Sequence, residues 1–499
     1  MLPIYPASTI RNWDEYTIKN EPVNSIDLME RAAKACVVWL VKNISIEHPI
    51  EIVCGNGNNG GDGLAIARWL LFYNYNVRVF IKNDLKKSED NLTNLKRLKE
   101  CGFTEIINLN ENTDINFQNN SVIIDCIFGT GLDRPVEGFW MNVINQINQS
   151  NCRVISIDIT SGLFSEPSIT VDLSQRQLTI QATATLTFKT PKLGMLIPGW
   201  GNYCGQLEIL DIGLSQNFID ENASKQFFVT FDDIAKRFKK KEKFSHKGTY
   251  GHALMVAGNK GKCGAAILSS KACLKSGVGL VTVHNIDECS FAIHTSIPEV
   301  MMDNSPMESL DVKCFSAIGI GPGIGTENNQ KELLQTILKN AECPLLLDAD
   351  ALTLYSKNPN NYQLPTNSIL TPHLKEFDRL AGESKNAYER LTKAQNFAKE
   401  NNVILVLKGA YTAICNVDGK VFFNSTGNAG MATAGSGDVL SGIITSLLAQ
   451  GYLPIEAAII GVFIHGAAGD FAAKNKSITS MIASDIIENL DLVFRELEG

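Results

Sequence analysis

Short apolar runs alternate with helical-period segments through the first half of the chain. Residues 51–54, 77–81, 122–126 and 153–157 carry continuous apolar stretches of strand length and predict buried strands. Residues 64–72 and 92–101 repeat apolar positions at helical spacing and predict helices between them. Such alternation predicts a parallel sheet covered on both faces, with ligands at the carboxyl ends of its strands. A second α/β run follows, with strands predicted over residues 253–256, 278–283, 317–320, 344–347, 369–370 and 403–407. Between the halves, around residues 215–233, the strand pattern is lost. The charged run at residues 236–243 then predicts a solvated linker or an exposed helix face. The halves show no internal repeat.

Composition narrows the class. The chain has 499 residues, too many for one core, so two or three domains are expected. With 44% hydrophobic and 20% charged residues it is globular. The net charge of −8 argues against nucleic acid or an anionic membrane as partner. Its 12 cysteines include no C-x-x-C pair, which suits reduced thiols better than a disulfide framework. No uncharged run reaches membrane-spanning length and the first residues lack a signal-peptide core, so a cytoplasmic protein is expected.

The segment Cys54-Gly55-Asn56-Gly57-Asn58-Asn59-Gly60-Gly61-Asp62-Gly63 joins a predicted strand to a predicted helix. That context suits a phosphate or dinucleotide loop, although it is neither a Walker loop nor the plain G-x-G-x-x-G fingerprint. A tight strand–helix turn is the plainer alternative. Two further polar, glycine-bearing loops, Asp125 to Pro135 and Ile157 to Leu163, close the next strands and should converge on the same crevice. Asn59, Asp125 and Ser161 offer hard oxygen atoms suited to K⁺ or another hard cation. Asp158 reads equally as a strand-end cap or a catalytic base.

These loops closely resemble the NAD(P)H-hydrate epimerase domain. The match extends through Leu28-Met29-Glu30-Arg31-Ala32, Lys192-Leu193-Gly194-Met195 and Pro198-Gly199, over roughly residues 10–213. The resemblance implies a substrate site at Asn58, Asn59, Gly60, Gly61 and Asp62, at Gly129, Thr130, Gly131, Leu132, Asp133, Arg134 and Pro135, and at Asp158. It implies K⁺ at Asn59, Asp125 and Ser161, and catalysis at Asp158. Thr160 departs from the family's usual Pro, which slightly lowers loop stiffness and removes no ligand.

In the second half, Gly427-Asn428-Ala429-Gly430-Met431-Ala432-Thr433-Ala434-Gly435-Ser436-Gly437-Asp438 runs into an apolar helix. Glycines turn backbone N–H groups toward a ligand, and the helix start favours an anion. An acid placed there suggests proton removal from a hydroxyl near a phosphate. A glycine turn with a capping Asp is the plainer alternative. Gly261 to Ala266, Gly319 to Gly325, the acids Asp348 and Asp350, the His373 turn and Lys408 to Thr412 fit the same pocket. Taken singly, Lys408 reads as a surface lysine and His373 as a hydrogen-bonded turn residue.

This set closely resembles the ADP- or ATP-dependent NAD(P)H-hydrate dehydratase family over about residues 229–495, including His246-Lys247-Gly248 and Pro298-Glu299-Val300-Met301. The resemblance implies hydrate contacts at Ala265, Gly323, His373 and Asp438, with Asp438 as catalytic base. It implies adenine-nucleotide contacts at Lys408, Gly409, Ala410, Tyr411, Thr412 and Gly437, with Mg²⁺ accompanying ADP or ATP. Leu374 and Lys375 depart from the usual Pro and Gly, so the His373 turn is expected to sit differently. The expected architecture is α/β throughout: a Rossmann-like three-layer epimerase domain over residues 1–215 and a ribokinase-like dehydratase domain over residues 229–499. Expected partners are NADHX, NADPHX, ADP and ATP, in a homo-oligomer. Two rivals stay open, a ribokinase-like small-molecule kinase and an N-terminal nucleotide-binding module without catalysis.

Overall fold

The computed structural model describes residues 1–83, 86–111, 113–167, 178–285, 287–306 and 309–499. The chain divides into two compact units, Leu2–Ser224 and Lys225–Gly499, with Met1 assigned to the second.

Among the described residues the first unit is built on seven parallel strands. Their spatial order is Ile106–Asn108, Val77–Ile81, Ile50–Cys54, Val122–Cys126, Arg153–Ile157, Ala184–Phe188, Gln206–Leu210. Strand order reverses between Ile50–Cys54 and Val122–Cys126, so the loops leaving these two neighbours part to opposite sides and open a crevice. The helix Ser25–Asn43 buries Leu28, Ala32, Cys36 and Leu40, one face at helical spacing, and packs with the helix Asn58–Phe72. The strands at 77–81, 122–126 and 153–157 match the expected bounds, whereas Ile106–Asn108, Ala184–Phe188 and Gln206–Leu210 were not foreseen. Ile106–Asn108 and Gln206–Leu210 are edge strands with only partly buried or exposed residues, which weakens the apolar signal.

The helix Asn58–Phe72 begins six residues before the predicted start at Leu64. Glycine disfavours helix by propensity, but here close packing decides. A Cβ at Gly60 would lie 1.9 Å from the Gly55 carbonyl oxygen.

In the second unit ten strands among the described residues run Gln226–Phe228, Val421–Phe423, Ala413–Cys415, Ile404–Leu407, Ile369–Leu370, Leu345–Leu347, Ala317–Ile320, His252–Val256, Leu280–His284, Met301–Asp303. The pairings are parallel except where Ala413–Cys415 meets its two neighbours. Helices Cys263–Lys275 and Ser436–Ala449 pack together on this sheet, and Ser436–Ala449 is buried almost all round. The expected strandless stretch at 215–233 is corrected: it contains the helix Gln216–Glu221, the strand Gln226–Phe228 and the helix Phe231–Ala235. Three residues are too few for a periodic signal, and pairing with Val421–Phe423 makes the strand. The charged run at 236–243 is a mostly exposed loop, not a helix face.

Helix Pro454–Asn475 is long and apolar enough to cross a membrane by length and composition, but 72% of its apolar window is buried within the protein. It is a core helix, and Ala457, Ile460, Ile464 and Ala468 belong to the main apolar cluster. The expectation of reduced thiols is corrected at one pair, a disulfide between Cys263 and Cys289, 26 residues apart, whereas the other ten cysteines are free. Sequence spacing carried no trace of it because the helix Cys263–Lys275 and the strand Leu280–His284 lie between the two cysteines.

Candidate active sites in the two units

The first crevice is a cavity of about 740 Å³ lined by Asn58, Asn59, Asp62, Gly129, Thr130, Gly131, Leu132, Asp133, Arg134 and Asp158 among others. All three predicted loops therefore meet. Gly60, Gly61 and Pro135 are not on its wall. Gly60 abuts Gly55, and a Cβ on Gly61 would lie 2.9 Å from Met29 Sδ, so both serve close packing behind the wall.

Asp158 follows the strand Arg153–Ile157 with φ 66°, a left-handed conformation that costs free energy for a residue with a Cβ. Its carboxylate is not a cap. Oδ1 accepts from Lys192 Nζ at 2.6 Å, and Oδ2 accepts from the Thr130 backbone N–H at 3.3 Å. Lys192 is buried and also donates to Thr187 Oγ1 at 2.7 Å. Lys192 belongs to a motif quoted from the sequence, yet no role for it was foreseen. Asp14, another wall residue, was missed altogether, because one acid on a polar helix face carries no local signal. Burial first, then the Asp158 charge, push its carboxyl up to about 7.

Behind the wall Asp125 is fully buried, accepting from Ser161 Oγ at 2.6 Å, Ser161 N at 3.0 Å and Ser156 Oγ at 2.8 Å. Burial raises its pKa while these hydrogen bonds pull it down. Asn59 Nδ2 donates to the Phe128 carbonyl at 2.9 Å, and Ser161 Oγ reaches the same carbonyl at 3.3 Å. Asn59 Oδ1 is buried without a hydrogen-bond partner among the described residues. Asn59, Asp125 and Ser161 thus converge, as their strand-end positions predicted. Thr160, in place of Pro, has its buried hydroxyl 3.0 Å from Thr185 Oγ1, so a hydrogen bond restrains the loop where a ring otherwise would.

In the second unit Gly435 adopts φ 85° and starts the helix Ser436–Ala449, so Asp438 stands in the first turn. Burial first, then Asp348, push the Asp438 carboxyl up to about 7, with Lys408 opposing. Asp348 precedes the helix Ala349–Lys357 but makes no side-chain cap. It accepts from Lys408 Nζ at 2.9 Å and Ser441 Oγ at 2.6 Å. A Cβ on Gly437 would lie 3.4 Å from Lys408 Nζ, which puts the loop backbone beside this pair. Lys408 is therefore no free surface lysine. Beyond it, Gly409, Ala410, Tyr411 and Thr412 form a turn in which Thr412 Oγ1 bonds the Gly409 carbonyl.

Gly323 lies against Ala265 and Lys262, and Lys262 Nζ reaches Asp350 Oδ2 at 3.1 Å. This joins the Gly261 to Ala266 and Gly319 to Gly325 loops to the acid pair. His373 caps the helix Leu374–Ala381: its Nδ1 accepts from the backbone N–H groups of Lys375 and Glu376. The hydrogen-bonded turn reading describes that nitrogen, and Nε2 faces Glu376 Oε1 at 3.4 Å. Sequence reasoning missed His465, 3.3 Å from Ser436 Oγ and pushed down to about 4 by burial. It also missed Asp470, which accepts from Gly427 N and Asn428 Nδ2 at 2.9 Å each and anchors the loop start. Both lie on the helix Pro454–Asn475, whose apolar character hides single polar positions.

One unit carries a parallel sheet with glycine-bearing loops at its switch point, and the other a largely parallel sheet with an acid in the first turn of a glycine-led helix, which suits a two-site α/β enzyme of nucleotide chemistry. The NAD(P)H-hydrate dehydratase family matches residues 253–492, and the YjeF-related N-terminal family matches residues 25–194. A bifunctional NAD(P)H-hydrate repair enzyme of Moorella thermoacetica is 35% identical, with 99% of this chain and 96% of that one covered. Its counterpart in Escherichia coli K12 is 32% identical over 89% of this chain and 84% of that one. The crystal structure of an ADP/ATP-dependent NAD(P)H-hydrate dehydratase from Bacillus subtilis, co-crystallised with ATP/Mg²⁺, is 30% identical with TM-score 0.50, covering 54% of this chain and 98% of that one. A ribokinase-like protein of Enterococcus faecalis V583 is 29% identical with TM-score 0.51 over 55% of this chain and 98% of that one. The chain belongs to the bifunctional NAD(P)H-hydrate repair enzymes.

Proposed function

We propose a division of labour within that family activity. The N-terminal unit interconverts the R and S epimers of NADHX and NADPHX, in which water has added across the nicotinamide 5,6 double bond. The C-terminal unit dehydrates the S form with ADP or ATP. The observation that carries the second assignment is Asp438, raised to about 7 in the first turn of the helix Ser436–Ala449, whose start suits an anion. A base tuned near neutrality suits removal of a hydroxyl proton. Hydroxide leaves poorly, and phosphorylating that oxygen makes phosphate the leaving group. The N–H groups of Gly435, Ser436 and Gly437 would face the transferring phosphoryl group, and Gly437 with Lys408 to Thr412 would contact the nucleotide. Ala265, Gly323 and His373 would contact the hydrate. Mg²⁺ arriving with the nucleotide phosphates would neutralise part of their charge.

In the N-terminal unit the three loops would bind the hydrate, with Asp158 at the reacting carbon. Asn59, Asp125 and Ser161 supply oxygen donors suited to K⁺: a buried amide oxygen, a carboxylate and a hydroxyl, linked through the Ser161–Asp125 hydrogen bond and the contacts of Asn59 Nδ2 and Ser161 Oγ with the Phe128 carbonyl. K⁺ held there would supply a fixed positive charge behind the cavity wall. A cytoplasmic homo-oligomer completes the reading.

The test incubates purified protein with mixed NADH hydrates and ADP or ATP, following NADH absorbance and phosphate. Complete recovery of NADH with one phosphate per NADH is expected. A stable phosphorylated alcohol would instead identify a kinase. Recovery limited to the S fraction would make the N-terminal unit a binding module.

A further inference from the structure

Six carboxylates, Asp14, Glu15, Asp62, Asp90, Asp133 and Asp158, line the N-terminal cavity together with Arg11, Arg134 and Lys192. Asp158 is ion-paired with Lys192. Asp62 sits deep at the start of the helix Asn58–Phe72. Asp14 comes from a different element, the helix Ala7–Asn20, and lines the same cavity. Burial and the charges of Asp158, Lys192 and Glu15 act on its carboxyl, and among the described residues no hydrogen bond does. A half-buried acid facing a ligand cavity without a structural partner costs stability unless it has a chemical task.

We propose that Asp14 is a second proton-transfer group of epimer exchange, working as a pair with Asp158; this rests on the epimerase reading above. The carbon that inverts bears both the hydroxyl and the ring nitrogen. Asp14 gives its proton to the hydroxyl oxygen. The C–O bond breaks, its electron pair leaves with the oxygen as water, and the nitrogen lone pair closes a C=N double bond. Water adds to the opposite face of that carbon, the π pair returns to nitrogen, and the surplus proton passes to the Asp158 carboxylate. One water leaves, one enters, and one proton moves from Asp14 to Asp158. The reverse exchange starts from that state. A carboxyl raised to about 7 holds a proton near neutrality and releases it readily, as an acid in this role requires.

The test uses the full-length chain, pure R and S hydrates, K⁺, and no ADP or ATP, with exchange followed by chromatography. Asp14→Asn should lower kcat for exchange by about 10²–10⁴-fold, with KM little changed. Asp14→Glu should restore most of the rate, since it returns the proton but not the shape. Dehydration of the pure S hydrate with ADP, in the same preparation, serves as the internal control for intact protein. Exchange by Asp14→Asn at the wild-type rate overturns the proposal. So does an equal loss in both variants with raised KM, which would mark a packing or binding role. If the wild-type chain itself exchanges nothing, the epimerase reading fails first and takes this inference with it.

Discussion

Lys192 Nζ stands 2.6 Å from Asp158 Oδ1, and the Lys192 side chain is only 1% exposed. The pair holds a left-handed aspartate against the cavity, so Lys192 does structural and chemical work together. Lys192→Met should leave Asp158 without its cation. We expect a loss of about 3 kcal/mol in denaturant unfolding, the low end for breaking a buried pair because Asp158 keeps access to the cavity. Epimer exchange should fall with it, and wild-type values in both measurements would contradict the assigned role.

Asp438 supplies a pH signature. Its carboxyl is raised to about 7, so below that pH it is protonated and unable to accept a proton. The kcat/KM for dehydration should therefore rise with pH through about 7 and level off above it. In Asp438→Asn this limb should vanish, with a rate loss of about 10²–10⁴-fold and nucleotide binding largely kept. A pH–rate series on both proteins decides the matter.

The cation reading predicts that Asp125→Ala weakens K⁺ binding and slows epimer exchange while dehydration is unchanged. Asp125 is buried and bonded to Ser161 and Ser156, whereas the dehydration residues lie in the other unit. Exchange of pure hydrates across a K⁺ titration is the measurement. Wild-type rate and K⁺ affinity in the variant would remove the site.

The two activities should separate on two fragments, but the cut matters. Gln226–Phe228 pairs with Val421–Phe423, so a fragment beginning at residue 229 loses a strand of its own sheet. A fragment of residues 225–499 should melt at a higher temperature than one of residues 229–499. It should consume the S epimer quickly and stop near half of a mixed hydrate, apart from slow spontaneous exchange. Rapid consumption of both epimers would refute the division of labour.

Cys263 begins the helix that carries Ala265, and its disulfide to Cys289 closes a loop of 26 residues in sequence separation. Cys263→Ser should cost the second unit roughly 3–4 kcal/mol in the chain-entropy account. Unfolding of wild type and variant, each with and without reductant, should show reductant destabilising only the wild type.

Alternation of apolar runs and helical segments determined the fold class, because buried parallel strands must be apolar on both faces. It placed the strands at 77–81, 122–126, 153–157, 317–320 and 369–370 as found. The glycine loops and Asp438 were legible too, since close backbone approach and anion binding demand particular residues at adjacent positions. Tertiary structure alone decided the rest. Lys192 and Asp158, 34 residues apart, meet only because Ala184–Phe188 pairs beside Arg153–Ile157. Asp14 and His465 acquire their raised and lowered proton affinities from burial, which no local pattern encodes. The disulfide, and the strand at 226–228, likewise depend on partners distant in sequence. Local spacing specifies what a segment can form, whereas desolvation and long-range pairing exist only once the chain has folded.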